Sequence, residues 1–122
     1  MTGDLLAAER LIKTYCAAWS EPHAARRLRL LEQVWTAEGR YTDPSADVTG
    51  IGALSAHIGK TLERHPGARV ITTSRVDAHH GLLRFTWCMV LADGERLPEG
   101  TDFAELSAHG RIRRIAGFFG SL

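Results

Sequence analysis

An α+β fold, with three N-terminal helices packed on a curved antiparallel sheet that forms a cone, follows from three features of the sequence. Apolar residues recur at helical spacing through the first half of the chain. β-branched and alternating segments occupy the second half, and glycine-containing turns divide that half at hairpin intervals.

The first helix runs from Leu5 to Trp19, where Leu5, Ala8, Ile12, Tyr15 and Trp19 form one stripe and Asp4 can cap the start. Ser20 and Pro22 open a second, since proline suits a first helical turn, with Ala24, Leu28, Leu31 and Trp35 on its apolar side. A third extends from about Ile51 to Arg64 through Ile51, Leu54, Ile58 and Leu62, and His65-Pro66-Gly67 stops it. Strands follow. "RVITTSRVDA" is rich in β-branched residues, and His80-Gly81 makes a hairpin turn into "LLRFTWCMVL", a central strand apolar on both faces. Asp93-Gly94 and His109-Gly110 mark the turns around "EGTDFAEL" and "RIRRIAGFF". A bent sheet closed by helices leaves a blind cone, filled by side chains or by a ligand. An outer sheet face that is also apolar predicts a homodimer through that face.

The 122 residues read as a single domain, 1–122, large enough for one core and one internal pocket. The formal net charge of +1, from 15 basic and 14 acidic residues, gives no electrostatic case for nucleic acid or an anionic membrane as partner. The start "MTGDLLAAER" lacks the basic region of a signal peptide, no apolar run is long enough to span a bilayer, and a cytoplasmic location is expected. Cys16 and Cys88 belong to no C-x-x-C pattern and read as buried free thiols. His79 and His80 are adjacent in a strand-to-turn stretch, so their side chains are expected to point opposite ways, and no carboxylate–histidine set has metal-ligand spacing; no metal is predicted.

Several residues carry two readings. Asp43, in "YTDPSADVTG", can shape an acid–proline turn or take a proton from a bound molecule. Tyr15 is a core tyrosine or a hydrogen-bond donor. Asp102 either pairs with Arg84 or Arg75, which keeps it ionised, or stays protonated and donates. His57 is a general base, a ligand anchor or a satisfied helix-face histidine. Phe85, Trp87 and Met89 alternate onto one strand face, as core or as a floor for an apolar ligand.

The "YTDP" before the third helix, the "GTDFAEL" strand and the "GRIRRIAGFFG" ending, in this order of elements, resemble the nuclear transport factor 2-like superfamily. The resemblance runs from Leu5 to Gly120, and SnoaL-like polyketide cyclases and ketosteroid isomerases are the nearest in style. It implies a cystatin-like α+β barrel. It further implies that Asp43 is the base, that Tyr15 donates to a developing oxyanion, and that Asp102 is a protonated second donor, the arrangement known for ketosteroid isomerase itself. Tyr41, His57, Phe85, Trp87, Met89 and Phe118 would then contact substrate. The family's supporting tyrosine on the third helix has no match, and His57 and Ile58 stand there; Arg84 and Trp87 are bulkier and more polar than a steroid slot requires. The expected function is therefore cofactor-free isomerisation or aldol-type cyclisation of a small apolar carbonyl compound. The alternative is a ligand-binding or dimerisation module on the same fold.

Overall fold

The computed structural model describes the backbone of residues 2–120 and the side chains of residues 5–120. Three helices, α1 (Thr2–Ala18), α2 (Ala24–Val34) and α3 (Ile51–Arg64), lie against one mixed sheet. Its strands are β1 (Trp35–Asp43), β2 (Ala46–Thr49), β3 (Arg69–Thr72), β4 (Asp77–His79), β5 (Leu82–Val90), β6 (Gly100–Leu106) and β7 (Ile112–Phe119). They are ordered β2-β1-β7-β6-β5-β3, with β4 also on β5, and the two ends do not meet.

The α+β cone expected from the sequence is present, but the sheet is antiparallel at every pairing except β1 with β7, which is parallel, and β1 and β2 precede α3 instead of following it. Trp35 belongs to that parallel strand, because α2 ends at Val34. Helix α2 starts at Ala24 rather than at Ser20 or Pro22. Asp4 falls inside α1, which begins at Thr2, and its side chain lies outside the described residues. "RVITTSRVDA" is two strands. Thr72 pairs with Trp87 but Asp77 with Arg84, so the outer strand carries two extra residues. The Ser74 hydroxyl fills the gap by accepting the Thr86 N–H at 2.8 Å. At the predicted hairpin, His80 (φ 49°) and Gly81 (φ 75°) both occupy the left-handed region, as a two-residue turn of the tighter kind demands.

Curvature comes from irregular pairing. Trp35 opposes Ile112 and Arg40 opposes Arg114, so the intervening part of β1 bulges, and Gly39 lets the Trp35 indole lie against the backbone. The core fills the space beneath: Ile12 of α1, Leu31 of α2, Leu54 and Ile58 of α3, and Ile112 and Ile115 of β7 are fully buried. Each such aliphatic side chain contributes roughly 1.5–3 kcal/mol. Arg27, 5% exposed, ties α2 to α3 through Ser55 (3.0 Å) and holds the Glu21 carbonyl (2.8 Å); Gly59 leaves room for its guanidinium. Helix α3 is thereby tied to α2. Cys16 and Cys88 are buried and unpaired. Among the described residues no helix is long and apolar enough to cross a membrane.

Candidate active site

Helix α1 sets the inner wall. Tyr15 and Trp19, one turn apart, face the same way, and the Tyr15 ring stacks on Trp35 at 5.8 Å. Opposite them, β1, β7 and β6 are adjacent strands, and Asp43, Gly117 and Asp102 lie side by side across them. A methyl group on Gly117 would stand 2.9 Å from Asp102 Oδ1 and 3.5 Å from Asp43 Cβ, so the missing side chain is what gives both carboxyls room on one face. Helix α3 adds His57. Together these elements enclose a cavity of about 350 Å³, at the small end of ligand sites.

Eight of the nine residues singled out from the sequence line this cavity: Tyr15, Tyr41, Asp43, His57, Phe85, Trp87, Met89 and Asp102. Phe118 does not. It is 60% exposed on the outer face, and Phe119 lines the cavity in its place. Ile115 and Gly117 point inward, so strand alternation carries Phe119 in and Phe118 out. Trp19 and Ser45 also belong to the site, although neither stood out in the sequence. Trp19 was hidden within the apolar stripe of α1, where only its four-residue offset from Tyr15 marked it.

Asp43 shapes the turn. Its Oδ1 accepts the Ser45 N–H and hydroxyl, both at 2.7 Å, and its Oδ2 accepts the Tyr41 hydroxyl at 2.5 Å. His57 Nε2 lies 3.7 Å from the same Oδ2. Trp19, Tyr41 and His57 pack as a ring triad with centroids 5.5–5.7 Å apart. Burial, then the bond to Asp43, pushes the Tyr41 hydroxyl well above its usual range.

Asp102 is paired with neither Arg84 nor Arg75. Arg84 instead bonds Asp77 at 2.8 Å on the exposed face. The Trp87 indole, lying across the bare backbone of Gly100, donates to Asp102 Oδ1 at 2.8 Å. Burial raises the Asp102 carboxyl to about 7, the Trp87 bond opposes the rise, and the charge of Asp43 adds to it. Asp102 is thus poised between acid and anion near neutrality. Burial also holds the Tyr15 hydroxyl well above its ordinary range and lifts the Cys16 thiol to about 12.

Three buried polar side-chain groups among the described residues have no hydrogen-bond partner: Tyr15 Oη, Trp19 Nε1 and Trp35 Nε1. Trp35 Nε1 faces the Gly39 bulge. The other two belong to neighbouring residues that line the cavity, and both atoms are themselves enclosed behind its surface. The Trp19 indole N–H faces the Tyr15 hydroxyl oxygen closely enough to offset part of the rise there, short of full hydrogen-bond geometry, and the Tyr15 O–H itself has no acceptor. Unpaired buried donors are uncommon because each forfeits its hydration. No cluster of metal-ligating side chains occurs among the described residues.

An α+β cone with an internal, largely apolar cavity and convergent polar groups is a small-molecule pocket fold of the nuclear transport factor 2-like kind. No family model matches the sequence, and no curated protein does. Among solved structures, a candidate isomerase of the SnoaL-like family from Agrobacterium tumefaciens superposes with a TM-score of 0.86 at 33% identity, covering 92% of this chain and 96% of that one. The chain belongs to the SnoaL-like family. Two more distant structures share the fold. A candidate SnoaL-like polyketide cyclase from Jannaschia matches at TM-score 0.66 and 15% identity, over 88% of this chain and 83% of that one. A protein of ketosteroid isomerase-like fold from Catenulispora acidiphila, solved with trimethylamine, matches at 0.71 and 14%, over 90% and 85%.

Proposed function

We propose that the protein is a cofactor-free isomerase or aldol-type cyclase that removes a proton next to the carbonyl of a small, mostly apolar substrate. The observation that carries this reading is the pair of unpartnered donors, Tyr15 Oη and Trp19 Nε1, in the wall of a cavity that also holds Asp102. Both donor atoms are fully enclosed in the structure, so a carbonyl oxygen reaches Tyr15 and Trp19 only by parting the cavity wall; once there it gains hydrogen bonds that strengthen as it becomes an oxyanion. Protonated Asp102 supplies a third donor. The proton leaves toward the Asp43 side, where Asp43 and His57 stand together. Phe85, Met89 and Phe119 supply apolar surface for the rest of the molecule.

The test is the conversion of β,γ-cyclohexenone and fused-ring analogues to their conjugated isomers, followed by ultraviolet absorbance. Wild-type turnover with a loss of roughly 100-fold or more in Asp43→Asn is the expected result. No turnover of any such ketone, or an unaffected variant, contradicts it. We further propose a homodimer through the outer sheet face, where Phe103 and Phe118 are 37% and 60% exposed. Sedimentation equilibrium should give twice the 13.4 kDa chain mass, and a strictly monomeric protein would refute it.

A further inference from the structure

We infer that the atom accepting the substrate proton is a ring nitrogen of His57, and that Asp43 acts by positioning and charge-balancing that imidazole. This inference rests on the reaction proposed above and specifies its base.

A carboxylate has about four acceptor directions. Three of those on Asp43 are taken, two by Ser45 and one by Tyr41, and the Asp43 side chain is only 3% exposed. The approach left on Oδ2 faces His57 Nε2 at 3.7 Å. A substrate carbon reaching Asp43 would therefore have to displace Tyr41, Ser45 or His57. His57 lines the cavity and its side chain is 15% exposed, five times the exposure of Asp43.

The imidazole is itself placed to accept a proton. In the tautomer that turns Nε2–H toward Asp43, the lone pair sits on Nδ1, which has no hydrogen bond among the described residues. Trp19 meets the ring edge-on and Tyr41 lies tilted against it, both at 5.7 Å, so two sides of the imidazole are fixed by packing. The 3.7 Å separation is longer than a hydrogen bond, as such contacts often are before substrate closes the site.

The step balances without a cofactor. The lone pair on His57 takes the proton beside the carbonyl, and the C–H electrons become the enolate, whose oxygen rests on Tyr15, Trp19 and neutral Asp102. The imidazolium then faces the Asp43 anion. Return of the same proton to the γ-carbon restores neutral His57 and releases the conjugated ketone.

His57→Ala opens space for added imidazole, and His57→Gln keeps the volume should the alanine variant fail to fold. Both are assayed with β,γ-cyclohexenone, and binding is measured separately by calorimetry with β-naphthol, a stable phenol that mimics the enol. The expected result is a loss of roughly 100-fold or more in kcat, with β-naphthol affinity retained. Imidazole should restore part of the rate in the alanine variant, in proportion to its free-base concentration. Unchanged turnover in His57→Gln would overturn the assignment to His57 and leave the wider reaction standing with Asp43 as base. A loss that imidazole does not restore, in an alanine variant that still binds β-naphthol, would also overturn it. A wild type that neither turns over the ketone nor binds β-naphthol would remove the reaction and this base together.

Discussion

Tyr15→Phe is expected to make the protein more stable and less active at once. The hydroxyl is fully enclosed and has no partner, which costs the folded state about 1–3 kcal/mol. Phenylalanine retains the stacking on Trp35 and the burial of the ring, so the substitution removes the penalty and little else. The melting temperature should rise by several degrees. Turnover should fall, since loss of one oxyanion donor costs about 2.7–4 kcal/mol in the transition state, or ~100–1000-fold in kcat. Thermal denaturation beside the cyclohexenone assay measures both. A melting temperature that falls would mean that the hydroxyl is satisfied in the folded state and is a core group.

Asp102 should make stability depend on pH in a direction opposite to that of a salt-bridged carboxylate. Its folded pKa is about 7 against an ordinary value of 3.8. Between those values the folded protein holds a proton that the unfolded chain has lost, so stability is fully present below about pH 4 and declines as pH rises toward and past 7. Three units correspond to roughly 4 kcal/mol. Asp102→Asn cannot ionise and still offers an oxygen to the Trp87 indole, so its urea-unfolding free energy should lack this decline, and the variant should exceed wild type most at alkaline pH. The same ionisation removes the third donor to the oxyanion, and wild-type turnover should therefore fall on the alkaline side of about 7. Parallel pH dependences for wild type and Asp102→Asn would show that Asp102 is not held protonated.

Much of the fold was legible because local physics carries it. Helices α1 and α3 declare themselves by apolar spacing. The turns at His80-Gly81, Asp93-Gly94 and His109-Gly110 do so by glycines that the structure places at positive φ. The parallel pairing of β1 with β7 was not legible: Trp35–Asp43 contains Gly39 and three charged residues, and its partner lies at the far end of the chain. No local pattern encodes such a contact. The two-residue slip between β3 and β4 was hidden for a related reason, since the hydroxyl of Ser74 replaces a ladder bond and leaves the β-branched composition unbroken.

In the site, the placement of Asp43 and Asp102 was legible from "YTDP" and "GTDFAEL". Their environments were not. That Asp43 is locked by Tyr41 and Ser45, and that Trp87 reaches diagonally over Gly100 to Asp102, depend on the shape of the cone. Phe119 could have been chosen over Phe118 by carrying the alternation of Ile115 and Gly117 two residues onward. The donor pair of Tyr15 and Trp19 emerges only once the absence of partners can be seen.

The central claim is that the cavity is built to receive an oxygen at Tyr15 and Trp19, and calorimetric titration of wild type and Tyr15→Phe with β-naphthol tests it most directly. The expected result is one naphthol per chain in the wild type, with affinity reduced in Tyr15→Phe although that variant melts higher. Absence of binding to the wild type, or equal affinity in both proteins, would contradict the claim.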